Sequence, residues 1–211
     1  MATLAKETKP RRSLSLPSKP IEVFPFIKSL NGRAGSSYTK FMKDAVFIMP
    51  NPAMLDKVVN MIDAIPMEDR DTKGDLYEYL LSKIASAGTN GQFRTPRHII
   101  KMMVEMMEPS QEDTICDPSC GTAGFLVAAS EYVHEYHADW FHEPAFRRHY
   151  DSEMFTGIEF DSTMLRIGAM NLQLHGIENP QIDYKDTLSK GYIEASEYKV
   201  VLANPPFTGS I

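Results

Sequence analysis

The spacing of hydrophobic residues changes along this chain. From residue 51 to about 92 they recur every three to four positions, which predicts helices. Asn51-Pro52 supplies an N-cap followed by proline at the first helical position, and Leu55, Val58, Val59 and Ile62 then form one apolar stripe. The segment "GDLYEYLLSKIASAG" repeats the pattern, with Tyr77, Leu80, Leu81 and Ile84 on one face and Gly88 past its end. From about residue 93, helical stretches alternate with short apolar runs. "TPRHIIKMMVEMM" has Thr95 as a cap, Pro96 at the first helical position, and Ile99, Ile100, Met103, Val104 and Met107 along one face. Its methionines read as core filling. A strand at 113–117, a helix from about 123, a strand "MFTGIEF", a helix "STMLRIGAMNLQLHG" and two strands in "QIDYKD" and "YKVVLANPP" follow. Strands separated by helices predict right-handed βαβ units: an α/β fold with a Rossmann-like, doubly wound parallel sheet, preceded by a helical segment.

The pattern divides the chain into residues 1–20, 21–92 and 93–211. The first stretch carries five basic residues and one acidic, 5 − 1 = +4, with three prolines and few large apolar side chains, and reads as a disordered basic tail. Over all 211 residues, 43% apolar and 24% charged is ordinary for a globular protein. No run approaches the ~18 apolar residues of a membrane span, and there is no signal-peptide core. Two cysteines make no disulfide framework, so a reducing, cytoplasmic setting is expected. A net charge of −6 argues against a protein that grips nucleic acid unaided, because polyanion affinity rests on Lys and Arg.

In doubly wound sheets, ligands bind at the carboxyl ends of the strands, and all four predicted strands end unusually. The first runs into "DPSCGTAGF", where Gly121 and Gly124 permit a sharp turn and close approach to a ligand. Cys116 and Cys120 lie there without the four ligands that zinc requires, so no metal is expected and both read as small buried side chains. The second ends at Glu159, whose carboxylate suits the two hydroxyls of a ribose; a surface Glu capping the next helix is the plainer reading. The third ends at Asp186, an acceptor for an adenine amino group or merely the cap of a turn. The fourth ends in Asn204-Pro205-Pro206-Phe207, where two prolines hold an amide and a ring in fixed relation. His134, His137 and His142 read as surface residues at a helix end. "DWFHEPAFRRHY" mixes aromatic and basic side chains and reads as a connection more readily than as a contact for DNA or a partner.

Together, "GQFRTPRHI", "DPSCGTAGFL", "GIEFD", "KDTL" and "NPPF" resemble the ordered motifs of S-adenosylmethionine-dependent N6-adenine DNA methyltransferases. More narrowly, with the helical lead-in before them, they resemble the modification subunit of type I restriction-modification systems. The resemblance covers roughly residues 70–211. Two positions depart from it: Ala123 stands where glycine is more usual, and Arg94 where an aromatic is. The resemblance implies that Gln92, Phe93, Thr95 and Pro96 bring a helix N-terminus to the methionine carboxylate of the cofactor. It implies that Asp117, Gly121, Thr122 and Ala123 pass beneath the methionine moiety. Glu159 would hold the ribose and Asp186 the adenine. Asn204, Pro205 and Phe207 would be catalytic: the Asn204 side-chain oxygen and the Pro205 carbonyl accept from the target amine, and Phe207 stacks on a base swung out of the duplex.

The expected activity is therefore methyl transfer from S-adenosylmethionine to adenine N6 in DNA, with a specificity subunit reading the sequence and a restriction subunit as a further partner. Two other readings stand beside it. "NPPF/Y" also serves methyltransferases acting on protein glutamine amides, although "GQFRTP" and its lead-in argue against that. A doubly wound sheet of this kind normally continues beyond the "NPPF" strand. The expectation is thus a C-terminally incomplete domain, a truncated form that at most binds cofactor and transfers no methyl group alone.

Overall fold

A computed structural model describes residues 51–64, 95–193 and 197–205, together with scattered positions between 25 and 81. The expectations for Gln92, Phe93, Arg94, Pro206 and Phe207, and for the basic tail, lie outside the described residues. Helix α1 spans Pro52–Asp63, and the Asn51 side-chain oxygen accepts from the N–H of Ala53 at 2.8 Å, so the predicted cap forms. Its stripe is shallow: Leu55 and Val59 are half-buried, while Val58 is exposed. Farther along, Gly74, Leu76, Tyr77, Tyr79, Leu80 and Leu81 are helical. Leu81 is buried and Tyr77 donates its hydroxyl proton to the carbonyl of Ile167 at 3.3 Å, but Leu80, expected on the same inner face, is exposed.

The remaining elements are α2 (Arg97–Met107), β1 (Ile115–Asp117), α3 (Gly124–Tyr136), a 3-10 turn at Ala138–His142, α4 (Pro144–Ser152), β2 (Phe155–Glu159), α5 (Ser162–Leu174), β3 (Gln181–Tyr184) and β4 (Val200–Val201). All strand pairs are parallel, in the order β3-β2-β1-β4. The chain thus winds outward from β1 through β2 to β3, then returns to the other side of β1. That reversal is what defines a doubly wound sheet, and the crevice it opens lies at the carboxyl ends of β1 and β4.

The core follows the sequence pattern. Ile115, Phe155, Ile158, Leu126, Leu165, Leu172 and Ile182 are each at most 2% exposed, and each such burial contributes about 2 kcal/mol. Helix α2 packs Ile100 and Val104 inward, but Met102, Met106 and Met107 are exposed, so its methionines only partly fill the core. An eleven-residue amphipathic helix has one buried face, and Met106 and Met107 fall beyond it. The "DWFHEPAFRRHY" segment folds into the 3-10 turn and α4, and its rings pack on one another: His134 stacks on Phe141, His137 on Trp140, and Phe146 meets both Trp140 and Phe141 edge-on. His134 and His137 are therefore half-buried members of an aromatic cluster, not simple surface residues. No helix among the described residues is long and apolar enough to cross a membrane.

Candidate active site

The glycine turn after β1 is built by backbone geometry. Gly121 adopts φ +52°, a conformation that side chains disfavour, and a Cβ placed there would meet nothing within 4 Å. The space above the turn is open. Ala123 also lies in the left-handed region, φ +63°, although it carries a methyl group and is fully buried. This is the physical reason that glycine suits the position, and the cost to alanine is about 1–2 kcal/mol.

Four side chains tether the turn. Asp117 accepts from the N–H of Ser119 at 3.1 Å, and Glu159 Oε2 accepts from the N–H of Gly121 at 2.8 Å. Asn171, fully buried on α5, donates to the carbonyl of Thr122 at 2.9 Å, and Thr187 donates to the carbonyl of Pro118 at 3.0 Å. Below the turn, a Cβ on Gly168 would sit 3.0 Å from the Gly121 carbonyl, so that glycine lets α5 approach the loop backbone. Gly157 does the same for Cys120, whose Sγ would lie 2.8 Å from a Cβ there. Both cysteines are buried free thiols, and burial pushes the Cys120 thiol well above its usual value. Among the described residues, no group of three or more His, Cys, Asp or Glu could hold a metal ion.

Glu159 does more than the sequence indicates. Besides Gly121, it accepts through Oε1 from the N–H groups of Phe160 and Asp161, both at 2.8 Å. Three of the roughly four acceptor positions of a carboxylate are thus engaged, and the group is fixed in direction. It does not cap α5; Asp161 does, accepting from Thr163 and Met164. Asp186 lies two residues past β3, exposed, with Oδ1 accepting from the N–H of Leu188 at 3.0 Å, so it does cap a turn. Asp117 is 2% exposed; burial, with the Glu159 charge adding to it and the Ser119 N–H opposing, pushes its carboxyl up to about 7.

On the other side of β1, β4 is only two residues long, and Asn204 and Pro205 follow on a loop. Asn204 is half-buried and donates through Nδ2 to the Thr95 hydroxyl at 2.8 Å, across 109 residues of sequence. Thr95 was expected to cap α2. It does not: Pro96 is the N-cap residue, with φ −57° and ψ 136°, and the helix begins at Arg97. Helical geometry is disfavoured for a residue before proline, and the Thr95 hydroxyl bonds Asn204 instead.

Sequence reasoning missed Asn171, Gly168, Thr187, Phe160 and Tyr184. The Phe160 and Tyr184 rings, 63% and 53% exposed, stack at 6.0 Å and 16° beside Glu159. Exposed rings at the ends of two adjacent strands could have been suspected from "EFD" and "DYKD", since the tips of β2 and β3 are paired at Glu159 and Tyr184. Nothing in the sequence marked Asn171, an amide in an otherwise apolar helix face. The residues fit a ligand with a cationic, hydroxyl-bearing body and an aromatic base. A Cβ on Gly121 would meet open space, the Asp117 and Glu159 carboxylates bond the backbone of the turn, the Ser119 hydroxyl is buried without a partner among the described residues, and the Phe160–Tyr184 ring pair follows Glu159.

Comparisons with known proteins show what the chain as a whole is similar to. The N-6 DNA Methylase family model matches residues 68–210. The Escherichia coli type I restriction enzyme EcoEI methylase subunit is 31% identical over 199 residues, covering 90% of this chain and 40% of the relative. The Salmonella typhimurium StySJI methylase subunit is 30% identical over 202 residues, covering 86% and 38%. The crystal structure of a modification subunit of a putative type I restriction enzyme from Vibrio vulnificus superposes with a TM-score of 0.71 at 30% identity, covering 89% of this chain and 40% of that one. This chain spans about two fifths of the length of these relatives. With the fold and the match over more than half its length in agreement, the chain belongs to the N-6 DNA methylase family and resembles, within it, the methylase subunits of type I restriction enzymes.

Proposed function

We propose that this chain binds S-adenosylmethionine at the carboxyl ends of β1, β2 and β3 and provides the residues that methylate adenine N6 in DNA. The observation that carries this reading is that Glu159, Asp186 and Asn204 follow the carboxyl ends of three strands of one parallel sheet, with Glu159 bonded to the backbone of the glycine turn. When bound, the cofactor supplies an electrophilic methyl group on a cationic sulfur. Glu159 would accept from a ribose hydroxyl at its remaining acceptor position, and Asp186 would accept from the adenine amino group. The exposed faces of Phe160 and Tyr184 offer that adenine an apolar platform. Thr95 and Pro96 lead into the N-terminus of α2, whose first N–H groups suit a carboxylate.

An exocyclic adenine amine is a poor nucleophile because its lone pair is spread into the ring. The Asn204 side-chain oxygen and the Pro205 carbonyl accept its two hydrogens, turn the lone pair out of the ring plane and stabilise positive charge on nitrogen. What the chain contributes is orientation and electrostatics. The half-burial of Asn204 partly shields those bonds from water. Specificity and restriction subunits are the expected partners, since the relatives are named as subunits of type I restriction enzymes. A partner that supplies basic surface would also offset the net charge of −6. A tritium-transfer assay, with this chain alone and in a reconstituted assembly, tests the reading on unmethylated DNA and on a glutamine-bearing peptide. Label in adenine supports it; label in the peptide alone would redirect it to protein substrates. Cofactor binding without transfer in either setting would leave a cofactor-binding fragment.

A further inference from the structure

We propose that Thr95 is a positioning residue for Asn204, its hydroxyl deciding which end of the Asn204 amide faces the target base. The inference rests on the methyl-transfer reading above. Asparagine can present either an acceptor or a donor toward a bound amine, and only the acceptor is productive, because an NH2 group facing an NH2 group leaves both without a partner. The Asn204 Nδ2 donates to Thr95 Oγ1 at 2.8 Å, which commits the amide nitrogen and turns Oδ1 the other way. Asn204 sits past a strand of only two residues, so that strand does little to orient its side chain. The far partner belongs to the segment leading into α2, a helix anchored in the core by Ile100 and Val104.

A hydroxyl can donate as well as accept, so Thr95 selects the productive amide only while its own proton is given elsewhere. An acceptor-only group at the α2 N-terminus does this. A carboxylate bound there would accept a hydrogen bond from the Thr95 hydroxyl, leave an oxygen lone pair toward Asn204 and so exclude the flipped amide. Filling the cofactor site would thereby preset the base site through one side chain.

The test uses the full chain and two readouts. In the first, the Asn204 side-chain NH2 resonances are followed by 15N NMR, identified by their loss in Asn204→Asp. Thr95→Val should shift them and Thr95→Ser should leave them in place. Resonances unmoved in Thr95→Val would overturn the proposal. In the second, single-turnover methylation at saturating cofactor is measured in an assembly that methylates DNA. Thr95→Val should be slower by about 100-fold even at saturating cofactor, the scale on which small misplacements act, with cofactor affinity weaker by about 10-fold for the lost hydroxyl contact and both restored in Thr95→Ser. A Thr95→Val protein that binds cofactor poorly yet turns over at the wild-type rate once saturated would also overturn it, placing Thr95 in the cofactor site alone. If wild type neither binds cofactor nor transfers methyl groups, the functional reading fails, while the NMR comparison still decides the Thr95–Asn204 contact.

Discussion

The two sides of β1 are held in very different ways. On the β2 side, the glycine turn is fixed by Asp117, Glu159, Asn171 and Thr187, four side chains that each bond its backbone, and α5 packs against it through Gly168. On the β4 side, Asn204 follows a two-residue strand, and among the described residues its side chain makes one hydrogen bond, to Thr95. The first side is prebuilt by many short-range tethers, so single losses there should weaken ligand binding without collapsing the turn. The second shows, among the described residues, one side-chain contact between segments 109 residues apart, so chemistry should be lost before binding is.

Substitutions that separate the two sides put this contrast at risk. The largest effect is expected for Asn204→Ala in an assembly that methylates DNA. Methyl transfer should fall by about 100-fold to 1,000-fold, the scale seen when one preset polar group is removed from a reacting centre, with cofactor affinity nearly unchanged. Transfer at the wild-type rate would remove Asn204 from the chemistry. Next comes Glu159→Ala, which loses a ribose partner and also frees the Gly121 N–H. Calorimetry should show cofactor binding weaker by about 1.5–3 kcal/mol; equal affinities would leave Glu159 as a loop anchor only.

A smaller effect is expected at Asp117, and it depends on pH. A carboxyl raised in the folded state contributes stability that is full below its unfolded value and lost as pH rises through the folded one. With the ordinary value at 3.8 and the folded one at about 7, Asp117 should make the protein less stable as pH rises across that window. Asp117→Asn should remove that slope, so urea midpoints at about pH 5 and about pH 8 should lie closer together in the variant than in wild type. A variant with an undiminished slope would show that other groups set it. The smallest effect belongs to Ala123→Gly. Relief of about 1–2 kcal/mol of left-handed strain is offset by a lost buried methyl, about 0.8 kcal/mol, and by the greater freedom of glycine when unfolded. Thermal melts should place the variant within about 1 kcal/mol of wild type. Ala123→Val, branched and buried at the same φ, should be clearly destabilised.

How much of this was legible in the sequence differs along the same line. The parallel strands follow from the alternation of apolar runs and helical stripes, and the choice of candidate residues at the strand ends rests on that. The strands are shorter than their apolar runs: "YKVVLANPP" yields ladder pairing only at Val200–Val201, and "QIDYKD" stops at Tyr184. Runs of apolar residues mark burial, whereas pairing also requires a neighbouring strand of matching length. Asp186 and Asn204 therefore stand on loops, a residue or two farther from the sheet than the pattern suggests. Thr95 was misread for a local reason. Its Ser/Thr-Pro context is a good helix start, yet the proline takes the N-cap place and sends the hydroxyl to a partner no local rule could name. The tethers Asn171 and Thr187 were invisible for the same reason, since each bonds a backbone group 49 or 69 residues away.

The most direct test of the central claim, that the turn side of β1 is a prebuilt cofactor site, is calorimetric titration of S-adenosylmethionine into the wild-type chain and into Asn204→Ala. One-site saturable binding, of equal affinity in the two proteins, is the predicted result. An absence of saturable binding in wild type, or binding that disappears with Asn204, would contradict it.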